Sequence, residues 1–102
     1  MDRKAMLMEV LSQNPKDAFA RYGLAMEYSN EGAVEPALKE FGKLLCDHPE
    51  YTAGYFMAAQ VLVRAERVDE AKRVLAEGIA SAKRTRNSHA QSEMEAMMAD
   101  LG

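Results

Sequence analysis

The sequence predicts an all-α protein, and three observations carry that prediction. Apolar side chains recur at spacings of three and four residues, the period of a helix with one buried face. No stretch shows the alternation of apolar and polar residues that is typical of a strand. The breaks between the apolar patterns are short, as at Asn14-Pro15. Short connections make successive helices antiparallel, so the chain is predicted to be a row of helical hairpins.

Three helices are predicted before residue 50. The first has its apolar stripe between Met6 and Leu11 and stops at Asn14-Pro15. The second runs from Ala18 to Tyr28 and is followed by a turn that contains a glycine. The third carries its stripe from Val34 to Leu45 and is closed at His48-Pro49.

Residues 51–63 contain no charged side chain. A helix that is apolar all round is buried on every side or lies in a membrane. This segment falls short of the roughly 20 apolar residues that a membrane span needs. We therefore expect it to be the buried central helix of the domain.

Two further helices complete the predicted set of about six. One has its stripe between Ala71 and Ala82, and the basic run at 83–86 ends it, where positive charge suits the helix dipole. The last has its stripe from Ala90 to Leu101. Ser88 and Gln91 have the spacing of a capping box that would open it.

The chain repeats itself at a spacing of 34 residues. The two copies, residues 18–51 and 52–85, share three identities in register: Ala25 with Ala59, Val34 with Val68, and Ala37 with Ala71. Most of the other matched pairs, such as Tyr22 with Phe56 and Phe41 with Leu75, keep size and polarity. The first copy also has the order of residues that characterises the tetratricopeptide repeat family, with Leu24, Ala25, Tyr28, Ala37, Phe41 and Pro49 matching. In the second copy the matching residues are Tyr55, Ala59, Leu62, Ala71, Leu75 and Gly78.

The chain thus resembles the tetratricopeptide repeat family, with four departures. Arg21 replaces the first aromatic residue and Leu44 the second alanine, while Ala58 and Lys83 replace the expected Leu and Pro. The resemblance implies a right-handed superhelical array of helix hairpins. It divides the chain into a half repeat (1–17), two repeats (18–51 and 52–85) and a terminal capping helix (86–102). The alternative is an ordinary six-helix bundle with a chance period.

Composition argues against several classes of protein. A single cysteine, Cys46, cannot form an intramolecular disulfide, which favours a reducing, cytoplasmic location. The apolar stretch near the N-terminus is cut by Glu9, so we expect neither a signal peptide nor a membrane segment. Basic residues cluster at 64–86, but the net charge is −3, so nucleic acid is not an expected partner.

Residues with catalytic or metal-binding chemistry are scattered. His48 and His89 have no ligands at metal-site spacing and are expected in surface or capping roles. Cys46 is expected to be a small packing residue. Carboxylates such as Glu35, Glu40, Asp69 and Glu70 are expected on solvated faces. We therefore predict no catalytic residue, no metal, no cofactor and no enzymatic activity.

Function is expected on the inner helices. In the tetratricopeptide repeat family, the first helix of each unit lines a concave groove, and Met-rich apolar linings suit adaptable binding. The resemblance therefore implies a non-enzymatic adaptor or scaffold that binds a peptide or helix. Its predicted groove residues are Phe19, Tyr22, Met26, Ser29, Phe56, Gln60, Val63, Met94 and Met97. Some of these, above all Tyr22 and Phe56, have a second interpretation as core. The alternative function is a self-associating structural protein, in which the apolar inner face and the Met-rich last helix form a homodimer interface.

Overall fold

A computed structural model describes residues 2–102, and within them the chain forms six α-helices and no strand. The helices are α1 (Arg3–Gln13), α2 (Ala18–Asn30), α3 (Val34–Asp47), α4 (Thr52–Arg64), α5 (Val68–Arg84) and α6 (Ser88–Asp100). This confirms the predicted class and the predicted number of helices. Among the helices of this range, none combines the length and the apolar character needed to cross a bilayer.

The helices belong to two compact units, the first ending at His48 and the second running from Pro49 to Gly102. In the first unit, α1 packs on α2 and α2 packs on α3. In the second, α4 packs on α5, α5 packs on α6, and α6 also touches α4. Within each unit, helices that follow one another in sequence are therefore neighbours in space, as their short connections require.

The four helices α2 to α5 show the 34-residue period directly. α2 and α4 begin at Ala18 and Thr52, and α3 and α5 begin at Val34 and Val68. α6 begins later than this period predicts, because α5 has 17 residues and α3 has 14. The backbone before a proline avoids the helical region, which ends α3 ahead of Pro49. The equivalent residue in the second unit is Lys83, and α5 continues through it.

The start of α6 differs from the predicted capping box. Asn87, not Ser88, is the N-cap, and its side-chain oxygen accepts a hydrogen bond from the backbone N–H of Ala90 at 3.1 Å. The prediction for Ser88 and Gln91 was therefore wrong by one residue. An asparagine side chain caps a helix as well as a serine does, so the helix start itself is well specified.

The core of the first unit lies on both sides of α2. On one side, Leu7 and Leu11 from α1 form a buried cluster with Ala20 and Leu24. On the other side, the ring of Tyr22 meets the ring of the buried Phe41 edge-on, with centroids 6.3 Å apart. Burial of each large apolar side chain contributes about 1.5–3 kcal/mol. Contacts with α1 on one side and α3 on the other therefore both stabilise α2.

The core of the second unit depends on a close approach at Gly78 in α5. A Cβ atom placed there would lie 2.6 Å from Cβ of Tyr55 in α4 and 2.5 Å from Sδ of Met94 in α6. Both contacts are far shorter than van der Waals distance. Glycine at this position therefore allows α4 and α6 to pack against the same turn of α5.

Glu40 is buried, which contradicts its expected place on a solvated face. It is 8% exposed, and its Oε1 accepts a hydrogen bond from Nη1 of Arg21 at 2.6 Å. The two side chains form an ion pair between α2 and α3. A carboxylate can be buried here because the guanidinium of Arg21 compensates its charge.

Candidate functional site

One side of α2 carries a large exposed aromatic side chain. Phe19 is 74% exposed, although it lies in the first turn of a helix whose other faces are packed. Tyr22 and Met26 follow at helical spacing on the same side and are half-buried. We call Phe19, Tyr22 and Met26 the α2 face. Ser29, also predicted for this side, is only 9% exposed, so its side chain is withdrawn from the surface.

α4 has a comparable side within the second unit. Phe56, Gln60 and Val63 are each half-buried and follow one another at helical spacing. We call these three residues the α4 face. The Oε1 atom of Gln60 accepts a hydrogen bond from Nη2 of Arg64 at 3.4 Å. The expectation that residues 51–63 are buried on every side was therefore wrong, because this side of the helix retains exposure.

α6 contributes less than predicted. Met94 is 1% exposed and contributes to the core at Gly78, so its side chain does not belong to an open surface. Met97 is half-buried. The cause is the later start of α6, which aligns Met94 with the buried Ala58 of α4 and not with Gln60.

The α2 and α4 faces suit the binding of an apolar segment. None of their six side chains carries a formal charge at neutral pH, and five of them are aromatic or aliphatic. Aromatic rings supply large contact areas, and the flexible thioether of Met26 adapts its shape to a ligand. The glutamine at position 60 adds an amide that can form hydrogen bonds with a peptide backbone.

The titrating groups with displaced pKa values lie outside these faces. A hydrogen bond to Glu31 raises the pKa of Lys4, and hydrogen bonds from Arg67 lower the pKa of Glu70. Burial is the main cause that raises the pKa of Tyr55. Each shift therefore follows from a structural contact within one unit.

The histidines also make local contacts. Nε2 of His48 lies 2.7 Å from the carbonyl oxygen of Lys16, and Nε2 of His89 lies 3.3 Å from Oε1 of Glu93. Within residues 2–102, no group of three or more His, Cys, Asp or Glu side chains is arranged to hold a metal ion.

Cys46 is exposed, so its prediction as a packing residue was wrong. It lines a shallow notch of about 270 Å³ in the first unit. The other residues around the notch are Pro15, Lys16, Arg21, Lys43 and Asp47. The position looked internal in the sequence because it follows Leu44 and Leu45, but the helix turns it outward.

Comparison with known proteins relates the chain to a protein family. The family model described as tetratricopeptide repeat matches residues 30–101. A tetratricopeptide repeat domain protein from Salinibacter ruber, solved by NMR, is 28% identical with a TM-score of 0.80. The match covers 86% of this chain and 89% of that one. No curated protein sequence matches significantly.

Two more distant structures share the fold. PcrH, crystallised in complex with the chaperone binding region of PopD, has a TM-score of 0.87 at 17% identity, over 96% of this chain and 74% of that one. A protein from Bordetella parapertussis has a TM-score of 0.84 at 18% identity, over 99% and 88%. The family model spans well over half of the sequence, and the helices follow the repeat that it describes. The chain therefore belongs to the tetratricopeptide repeat family.

Proposed function

We propose that this protein is a non-enzymatic adaptor that binds a peptide or helix of another protein through its α2 and α4 faces. The observation that carries the proposal is Phe19, 74% exposed on a helix side that continues through Tyr22 and Met26. A phenylalanine in water forgoes the free energy of burial, roughly 2–3 kcal/mol for a complete transfer. Binding of an apolar ligand would recover part of it.

The family supports this proposal at a coarser level. Tetratricopeptide repeats are protein-interaction modules, and the PcrH structure contains a segment of a second protein, PopD. The likeness to PcrH is one of fold, at 17% identity. The choice of ligand for the present chain rests on its own side chains.

These side chains favour an apolar ligand over an acidic one. Binding of a carboxylate is favoured by Lys or Arg side chains. The α2 and α4 faces have neither, and carry uncharged residues such as Tyr22, Met26 and Gln60. We therefore expect the ligand to present Leu, Met or aromatic residues at helical spacing, the pattern read by grooves that bind amphipathic helices.

The alternative, a homodimer through the inner face and the last helix, is less well supported. It relied on a methionine stripe in α6 that included Met94, and Met94 is 1% exposed. Met97 and Met98 remain half-buried. The stripe therefore loses Met94 to the core of the second unit, and its remaining residues are only partly exposed.

A capture experiment with matched variants tests the proposal. Tagged wild type, Met26→Arg and Gln60→Arg are used at low micromolar concentration to capture proteins from native lysate, followed by mass spectrometry. Each variant puts a charge into an uncharged face. We expect a protein captured by the wild type to be lost with Met26→Arg and reduced with Gln60→Arg.

Two control variants add the same charge elsewhere. Met8→Arg alters an exposed methionine of α1, and Ala76→Arg alters an exposed position of α5. Both should retain the captured protein, and all four variants should keep the helical circular dichroism of the wild type. Undiminished capture by Met26→Arg and Gln60→Arg would refute the assignment of the two faces.

We also infer that the adaptor works in a reducing compartment, the cytoplasm. Cys46 is the single cysteine and is exposed, and an exposed lone thiol forms intermolecular disulfides under oxidising conditions. Fractionation of native cells checks this location, and recovery from an oxidising compartment would contradict it.

A further inference from the structure

α1 exposes residues whose equivalents are buried in the other second helices of the repeat. Met6 is 52% exposed, Val10 is 42% exposed, and the side chain of Arg3 is 62% exposed. These three residues form the α1 end face. Each has an equivalent 34 and 68 residues later in the chain. Arg3 corresponds to Ala37 and Ala71, Met6 to Glu40 and Val74, and Val10 to Leu44 and Gly78. Five of these six residues are buried and Val74 is half-buried.

Contacts at the equivalent positions show what covers them. Glu40 in α3 pairs with Arg21 in α2, the helix that precedes it. Gly78 in α5 lies against Tyr55 in α4, again the preceding helix, and also against Met94 in α6, the helix that follows. In both repeats, this side of the second helix packs on the first helix of its own hairpin. Within residues 2–102 no helix precedes α1, so its end face lacks that neighbour.

α6 is the complementary case, because within the described residues no helix follows it. Its burial pattern matches α4 at a spacing of 36 residues, since Met94 is buried like Ala58. In this register, Gln91 is equivalent to Tyr55, and Glu95 is equivalent to Ala59, which is fully buried in its own hairpin. Glu95 is exposed, and Nε2 of Gln91 donates to its Oε2 at 3.1 Å. We call Gln91 and Glu95 the α6 end face.

The two end faces carry opposite charges at matching positions. In the complete hairpins, these positions are held by alanine pairs, Ala25 with Ala37 and Ala59 with Ala71, and all four residues are fully buried. At the ends, the corresponding residues are Glu95 in α6 and Arg3 in α1. Arg3 is equivalent to Ala37 of α3. A helix that packed on α1 as α2 packs on α3 would therefore place its equivalent of Ala25 opposite Arg3.

We propose that α6 of one copy of this chain packs on α1 of a second copy and completes a repeat between them. Glu95 then meets Arg3, and the docked helix covers Met6 and Val10. Arg3 already lies 3.2 Å from Glu27, but a guanidinium has five N–H donors and serves two carboxylates. This association is independent of the α2 and α4 faces.

The geometry of the contact determines how it grows. Each copy uses one α1 end face and one α6 end face, so the contact is heterologous, and copies add head to tail into an open chain or close into a ring. A single helix pair belongs to the weak class of interfaces. Association is therefore best followed up to about 1 mM, since weak contacts have dissociation constants in this range.

Charge reversal with sedimentation equilibrium tests the proposal. The proteins compared are wild type, Arg3→Glu, Glu95→Arg, the double variant Arg3→Glu/Glu95→Arg, and an equimolar mixture of the two single variants. The expected average mass of the wild type rises with concentration above that of the monomer. Each single variant should associate at least about tenfold more weakly, because like charges then face each other.

The double variant and the mixture give the decisive comparison. The double variant should regain association because its charges are exchanged, and the mixture because Arg3 of one variant meets Glu95 of the other. Glu93→Arg, which reverses another charge on α6, should leave association unchanged. Circular dichroism confirms that each variant folds, and if Arg3→Glu does not, Glu95→Arg and Glu93→Arg decide alone.

Two results would overturn the proposal. One is a wild type that stays monomeric at every concentration, and the other is a Glu95→Arg variant that associates like the wild type. The peptide-binding function stands or falls separately, because Glu95→Arg leaves the α2 and α4 faces intact.

Discussion

Arg21 and Tyr55, which are 34 residues apart, make the same hydrogen bond in their two units. Nη2 of Arg21 donates to the carbonyl oxygen of Pro15 at 2.8 Å, and the hydroxyl of Tyr55 donates to that of Pro49 at 2.7 Å. In each case the acceptor lies six residues earlier, in the turn before the helix. Arg21 therefore performs the task of the aromatic residue that it replaces, and Glu40 balances the charge that the exchange introduces.

The ion pair of Arg21 with Glu40 predicts a strong coupling between the two positions. Arg21→Tyr alone should lower the free energy of unfolding by about 3 kcal/mol, because Glu40 stays buried without a cation. The double variant Arg21→Tyr/Glu40→Val imports Tyr55 and Val74 from the second unit and should come within about 1 kcal/mol of the wild type. Urea unfolding of the wild type, Arg21→Tyr, Glu40→Val and the double variant measures both values and the coupling between the two positions. Additive effects would contradict the pairing.

Gly78 and Gly42 provide a matched pair of helical glycines. Gly78→Ala should destabilise the protein by about 1–3 kcal/mol. The added Cβ would clash with Cβ of Tyr55, which can move away only if the backbone of α4 moves with it. Gly42→Ala should stabilise it by about 0.5–1 kcal/mol, because nothing lies within 4 Å and alanine favours the helix. Thermal unfolding of the two variants should therefore shift in opposite directions. Equal shifts would show that Gly78 is not at a close contact.

The turns after α2 and α4 each contain one residue with a positive φ, but the residue type differs between them. Gly32 has φ 75° in the first unit, and Glu66 has φ 62° at the equivalent position in the second. The left-handed region costs a residue with a Cβ roughly 1–2 kcal/mol. Glu66→Gly should therefore stabilise the protein by about 0.5–1 kcal/mol, while Gly32→Ala should destabilise it by about 1 kcal/mol. Chemical unfolding checks both signs, and a loss of stability in Glu66→Gly would contradict this explanation.

The buried hydroxyl of Tyr55 predicts a loss of stability at high pH. Burial first, then the charge of Glu77, raises its pKa in the folded protein above the ordinary value of about 10. The unfolded chain therefore releases this proton first, and the stability that Tyr55 contributes falls as pH rises through and above about 10. Spectrophotometric titration should show a late-titrating tyrosine that Tyr55→Phe lacks. The difference between the titration curves of the wild type and Tyr55→Phe is the titration of Tyr55 alone. If this difference has the midpoint of an ordinary tyrosine, the shift is contradicted.

The sequence was sufficient for the helices because their signals are local. The 34-residue spacing and the apolar stripes specify where α2 to α5 begin. The later start of α6 also had a signal, the replacement of the expected proline by Lys83, which removes the stop that ends α3. Without that stop α5 is longer, and α6 begins two residues later than the 34-residue period predicts. The predicted exposure of Met94 is wrong for this reason.

The exposure of individual side chains was harder to predict because it depends on pairs across a turn. Arg21 and Glu40 are 19 residues apart, and each looks like a surface charge when its own helix is considered alone. Cys46 looked buried because it follows two leucines. Of the predicted groove residues, Phe19 has the exposure that binding needs, while Ser29 and Met94 do not. No sequence period distinguishes these cases, because burial is decided by the neighbouring helix.

The central claim, binding at the α2 and α4 faces, is tested most directly by methyl NMR with a peptide from the captured partner. The eight methionines are natural reporters, and Met26 lies on the α2 face while Met8 is exposed on α1. At a protein concentration below that of self-association, saturating peptide should shift the Met26 methyl resonance and leave Met8 unchanged. A shift of Met8 with no change at Met26 would contradict the account.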